Sequence, residues 1–121
     1  MLIVYLSLTG NTKRFVNKLG MDSLELNPTN PFIPVNEPYV IVAPTYELEA
    51  TDCINDFIEH ETNKAYLKGF LGGGNLNFGE LFVFTAKDLS KEYSKPLLYS
   101  FEYSGTEVDI NNVKDILLNI K

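Results

Sequence analysis

Three stretches of this 121-residue sequence carry residue types that could do chemistry. The first is Ser7-Leu8-Thr9-Gly10-Asn11-Thr12, three hydroxyls and one glycine where an apolar run gives way to a helical pattern. Hydroxyls and the unpaired N–H groups of a helix start are what a phosphate needs. No lysine lies inside the stretch, so it is not a nucleotide P-loop. It suits a single terminal phosphate held largely by neutral donors. It also suits an ordinary helix start, because Thr9, Asn11 and Thr12 all cap well. The second stretch is Pro44-Thr45-Tyr46-Glu47-Leu48-Glu49-Ala50, in which Tyr46 could stack on a planar ligand or simply flank a helix. The third is Gly72-Gly73-Gly74-Asn75-Leu76-Asn77-Phe78-Gly79. Consecutive glycines at a strand end are costly unless something must approach the backbone closely; an irregular turn is the alternative. Asn75 and Asn77 could read amide edges, and Phe78 could cover a ring.

Other chemistries find few residues. His60 is the one histidine and has many acids nearby, which suits a solvated surface position. Cys53 is the one cysteine, so an internal disulfide and a multi-cysteine metal site are excluded, and a small packing role is expected. A Ser-His-Asp set would have to recruit His60, and no metal-ligand spacing is present. A phosphoacceptor receiver domain needs clustered acids after its first strand, where this chain has Leu6-Ser7. Ten basic and 16 acidic residues give a net charge of −6, which disfavours nucleic acid and anionic membranes. No apolar run approaches the roughly 18 residues of a membrane helix. The apolar N-terminus, Met1 to Tyr5, lacks the basic flank of a signal peptide. A cytoplasmic location is the expectation.

The elements that position these stretches follow from hydrophobic periodicity. Leu2–Leu6 and Tyr39–Ala43 are continuous apolar runs, the pattern of strands buried on both faces. Leu24–Leu26 is a short strand, and Asn27–Pro38, with its four prolines, is a connecting loop. Phe70-Leu71 opens a fourth strand, and Leu97–Glu102 is a fifth. Helices are expected from Lys13 to Gly20, Ala50 to Glu61, Glu80 to Tyr93 and from Thr106 onward. Thr106 and Asp109 have the spacing of a capping pair. This order predicts an α/β fold, a doubly wound five-stranded parallel sheet of order 2-1-3-4-5 with helices on both faces. A ligand crevice is expected at the switch between strands 1 and 3. One domain over residues 1–121 is expected.

The stretch Thr9-Gly10-Asn11-Thr12 resembles the flavodoxin phosphate loop. The chain is more closely similar to the NrdI family, the small flavodoxins that serve class Ib ribonucleotide reductase. Asn11–Gly20 is similar to that family's loop-to-helix segment. Gly74–Glu80 resembles its S-G-N-x-N-F-G-E stretch, and Phe101–Ile110 its F-E-x-x-G-T-x-x-D-[IV] stretch. The resemblance implies an FMN cofactor whose reduced form reacts with dioxygen. The product is the oxidant for the dimanganese radical subunit of the reductase. It also implies a separate protein that reduces the flavin, and a chain that turns over no organic substrate. By position, Ser7, Leu8, Thr9, Gly10, Asn11 and Thr12 would hold the phosphate. Thr45, Tyr46, Glu47 and Leu48 would lie beside the ring system, and Gly73, Gly74, Asn75, Asn77, Phe78 and Gly79 along its polar edge. A monomer is expected. A general electron-transfer flavodoxin and a flavin-free interaction module are the alternatives.

Two positions depart from the family pattern. Leu76 stands where relatives often carry Lys or Arg. Glu47-Leu48-Glu49-Ala50 replaces a glycine-rich segment, so positive φ is disfavoured there and two carboxylates are added. Like charge opposes a negative flavin. Glu47→Gln with Glu49→Gln is therefore expected to raise the potential for full reduction. A spectroelectrochemical titration that returns the same potential for both proteins would remove this electrostatic effect.

Overall fold

The computed structural model describes residues 1–6, 10–44, 48–74 and 84–120. Five parallel strands, β1 (Leu2–Tyr5), β2 (Ser23–Glu25), β3 (Tyr39–Pro44), β4 (Leu67–Gly74) and β5 (Leu97–Glu102), form one sheet in the order β2-β1-β3-β4-β5. Helices α1 (Asn11–Leu19), α2 (Leu48–Glu59), α3 (Asn63–Tyr66), α4 (Phe84–Tyr93) and α5 (Glu107–Leu118) connect them. This is the expected doubly wound order.

The continuous apolar runs have a direct cause in the two cores. Val4, Leu6, Tyr39, Ile41 and Ala43 pack on one face of the sheet with Ile54, Phe57 and Ile58 of α2 and Ala86 and Leu89 of α4. Ile3, Tyr5, Val40 and Val42 pack on the other face with Phe15, Val16 and Leu19 of α1 and Ile110, Val113 and Leu117 of α5. Side chains alternate across a strand, so a strand covered on both faces must be apolar at every position. Every residue of β3 is buried.

Some boundaries differ from expectation. β4 begins at Leu67, three residues before Phe70, and is preceded by the single-turn α3, which periodicity did not reveal. α2 runs from Leu48 to Glu59 and α1 starts at Asn11, each two residues earlier than expected. The start of α4 expected at Glu80, and its expected core residue Leu81, lie outside the described residues. Asn63 is wholly buried and fully used. Its Oδ1 accepts from Val35 N–H at 2.9 Å, and its Nδ2 donates to the carbonyls of Ile33 and Phe57 at 2.8 and 2.9 Å. One carboxamide thus fastens the proline-rich connection to the α2–α3 corner.

His60 is at the surface beside Glu61, as expected, but only partly solvated. Its side chain is 24% exposed and meets the Phe32 ring edge-on, with centroids 5.7 Å apart. Cys53 is buried as expected, and burial, followed by the nearby Asp56 carboxylate, pushes its thiol pKa up. It is no nucleophile in that state.

On the α1–α5 face, the Phe15 and Phe101 rings stack with centroids 3.7 Å apart and planes 6° from parallel. Gly105 lies against Phe15: a Cβ there would sit 2.7 Å from Phe15 Cδ2, and its φ of +74° is left-handed. Both facts oppose any other residue. Gly105→Ala is expected to cost about 2–4 kcal/mol of stability, read from urea unfolding. A loss under about 0.5 kcal/mol would show that the contact relaxes freely.

Candidate functional site

The site begins with three strand ends. β1 and β3 are neighbours, with Tyr5 opposite Val42, and β3 and β4 are neighbours, with Pro44 opposite Gly73. The chain therefore leaves β1, β3 and β4 at one rim of the sheet, on both sides of the β1/β3 switch where ligands of such folds bind. The three chemically suggestive stretches follow these ends. Of the expected site residues, Gly10, Asn11, Thr12, Leu48, Gly73 and Gly74 are described. Ser7, Leu8, Thr9, Thr45, Tyr46, Glu47, Asn75, Asn77, Phe78 and Gly79 lie outside the described residues.

The start of α1 is not capped by a hydroxyl. Its N-cap is Gly10, in the left-handed region at φ 90° and ψ −13°. Glycine has no oxygen to offer the first-turn amides, and its conformation turns the chain sharply into the helix. Thr12 is buried in the first turn at 5% exposure, and no acid lies in that turn. Two basic residues follow. Lys13 pairs with Glu25 across 3.5 Å, and Arg14 Nη1 donates to Asn11 Oδ1 at 2.8 Å. Amides at a positive helix end, a buried threonine and nearby cations are a donor set suited to a phosphate.

The end of β4 carries the glycine run. Gly72, Gly73 and Gly74 pair with β3, β5 or both, and none has positive φ. At Gly73 the close approach is made by protein: a Cβ would lie 2.9 Å from Phe101 Cζ. Tyr103 N–H donates to the Gly74 carbonyl at 3.1 Å, tying the β5–α5 turn to the same rim. Sequence reasoning did not find this packing or the role of Lys18. Its Nζ donates to Ser104 O, Ser104 Oγ and Gly105 O at 3.1–3.3 Å.

Tyr5 lies at the end of β1, where its hydroxyl donates to Glu25 Oε1 at 3.4 Å. Burial, then the Glu25 carboxylate, raises the phenol pKa, so Tyr5 stays neutral. A cleft of about 590 Å³ lies along the β5–α5 turn, lined in part by Ser100, Glu102, Tyr103, Thr106 and Asp109. Here the expected cap is present. Thr106 Oγ1 accepts from Asp109 N–H at 3.2 Å, and Asp109 Oδ2 accepts from Thr106 N–H at 2.8 Å. Tyr99 OH also donates to Asp109 Oδ1, at 2.7 Å.

Comparison with known proteins fits this geometry. The fold is similar to a short-chain flavodoxin associated with a PDU bacterial microcompartment, with TM-score 0.68 and 19% identity over 98% of this chain and 94% of that one. It is also similar to oxidised Flavodoxin 2 from Bacillus cereus, with TM-score 0.66 and 18% identity over 97% and 94%. The architecture is thus flavodoxin-like. A family model described as NrdI flavodoxin-like matches residues 3–115. Protein NrdI of Ruegeria sp. (strain TM1040) is 37% identical, over 93% of this chain and 84% of its own. Protein NrdI of Bartonella henselae is 35% identical, over 94% and 90%. The chain belongs to the NrdI flavodoxin-like family, a membership that implies a flavin-binding accessory role.

Asp109 gives the turn a pH dependence. Burial acts to raise its carboxyl pKa, but hydrogen bonds from Thr106 and Tyr99 outweigh it and the net shift is downward. A lowered folded pKa adds stability above the ordinary carboxylate value, and that stability is lost as pH falls through the folded value. Asp109→Asn is therefore expected to destabilise the protein at pH 7 and progressively less below the ordinary value of 3.8. Urea unfolding at pH 7 and pH 3 checks this; an equal loss at both would show that the carboxylate charge contributes nothing.

Proposed function

We propose that this protein binds FMN at the three-stranded rim and serves as the redox accessory of a class Ib ribonucleotide reductase. The observation that carries the reading is the start of α1: a glycine cap, a buried threonine and first-turn cations at the β1/β3 switch, in a chain of the NrdI family. Ser7, Leu8, Thr9, Gly10, Asn11 and Thr12 would hold the phosphate. Thr45, Tyr46, Glu47 and Leu48 would border the ring system, and Gly73, Gly74, Asn75, Asn77, Phe78 and Gly79 its polar edge. When bound, the flavin supplies electrons to dioxygen, and the resulting oxidant serves assembly of the dimanganese-tyrosyl radical cofactor.

The protein's own part is binding, charge and access. Helix α1 offers its positive end to the phosphate. The Phe15–Phe101 stack and Lys18 hold that helix against β5 and the β5–α5 turn. The net charge of −6 suits docking to a basic patch on the radical subunit, an attraction that weakens with salt. A second protein supplies the reducing equivalents. The whole chain, residues 1–121, acts as one monomeric cytoplasmic domain.

The test is an anaerobic reductive titration of the FMN-reconstituted protein, followed by exposure to air and by binding to a dimanganese radical subunit at low and high salt. One FMN per chain, rapid reoxidation in air and salt-sensitive binding to the subunit are expected. Slow reoxidation with no binding to the subunit would instead indicate a general electron-transfer flavodoxin, and no flavin binding would end the redox reading.

A further inference from the structure

The end of β4 is a strand with no side chains of its own to hold it. Its last three residues are Gly72, Gly73 and Gly74. Glycine loses the most backbone freedom on folding and adds nothing to packing. Position nevertheless matters most here. Gly73 pairs with Pro44 in the last rung that β3 and β4 share. In the flavin reading, the two stretches that border the ring system continue from this rung.

What bears on the rung is an aromatic ring from the next strand. Phe101 of β5 stands in register with Gly73 and is 2% exposed. Its ring edge meets the glycine, with Cζ, Cε2 and Cε1 lying 2.9, 3.1 and 3.7 Å from where a Gly73 Cβ would be. The ring takes the room of the missing side chain, so its contact falls directly on the β4 backbone. The face of the same ring stacks on Phe15 at 3.7 Å, and Phe15 is backed in turn by Gly105. A close-packed interior transmits strain, so Phe101 cannot swing off Gly73 without breaking that stack. One residue on, Tyr103 N–H donates to the Gly74 carbonyl at 3.1 Å and carries the hold to the end of the strand. Gly69, near the start of β4, has the same kind of neighbour: Leu98 Cδ1 lies 2.9 Å from the place of its Cβ. That contact is at the end of the strand away from the rim, where it can serve only the fold.

We propose that Phe101 is a positioning residue for the flavin ring system. By bearing on Gly73 it fixes the end of β4, and with it the spacing of the two stretches on either side of the ring. The proposal rests on the flavin reading and deepens it. FMN and riboflavin share the ring system and differ in the phosphate, so loss of the Phe101 contact should weaken both alike.

The test is fluorescence titration of the flavin-stripped full-length protein with FMN and with riboflavin, together with thermal unfolding without flavin. The proteins compared are the parent chain, Phe101→Leu, Gly73→Ala, the two substitutions combined, and Leu98→Ala. Phe101→Leu is expected to raise both Kd values about fivefold and to shift the absorption band of the bound oxidised flavin. Gly73→Ala presses on the ring from the other side and should also raise both. In the combined variant the added methyl takes up room that the ring has left, so the rise should be smaller than the product of the two single effects. Leu98→Ala should lower the flavin-free melting temperature and leave both Kd values within about twofold. Unchanged Kd values in Phe101→Leu would overturn the proposal. So would an equal rise in Leu98→Ala, which would make the effect one of general stability, or a rise for FMN alone, which would place it at the phosphate. A combined variant equal to the product of its parts would overturn it as well. A parent chain that binds neither flavin would instead end the flavin reading itself.

Discussion

The stack of Phe15 on Phe101 is the contact on which the rest of this structure turns. One ring belongs to the helix that follows the first loop, the other to the strand beside the glycine run of β4. Gly105 closes one side of the stack by lying against Phe15, and Gly73 closes the other by lying against Phe101. Neither glycine could carry a side chain without displacing a ring. Four residues from four segments therefore form a single packed row under the rim of the sheet. The seat of α1 on this face therefore depends on these two rings.

The two helices joined by this row begin in opposite ways. α5 is complete in itself: Thr106 and Asp109 satisfy each other's backbone donors, and Tyr99 supports the carboxylate from β5. α1 begins on a glycine, has no acid in its first turn and places a guanidinium over its own cap. A reciprocal side-chain cap is a local stabilising device. A helix that lacks one, directly after the strand at the topological switch, is arranged for something other than its own stability.

Much of this was legible in the residues. Apolar runs without alternation specified strands buried on both faces, and the order of elements then left few topologies. The Thr106–Asp109 cap was readable because it is a three-residue relationship. What stayed hidden was non-local or atypical. The early start of β4 was masked by Lys68 and Gly69, and Gly69 is explained by Leu98 and the Pro96 carbonyl, each 2.9 Å from the place of its missing Cβ. Asn63 gave no sign that its carboxamide replaces regular backbone pairing for the proline-rich connection. His60 looked solvated because its neighbours in sequence are acidic, yet in space the Phe32 ring covers it as well as Glu61. At the start of α1, residue type suited either a phosphate or an ordinary cap by Thr9, Asn11 or Thr12, and nothing in it singled out Gly10, whose left-handed backbone makes it the cap.

The bonds from Lys18 to Ser104 and Gly105 span 86 and 87 residues. Together with the aromatic row, they mean that α1 has no final seat until the last quarter of the chain exists. As synthesis proceeds, β1, β3 and the α2 core can collapse while α1 still lacks its β5 and α5 partners. A chain that lacks its last quarter would therefore keep α1 on β1 and β3 alone, without the Lys18 anchor or the aromatic row.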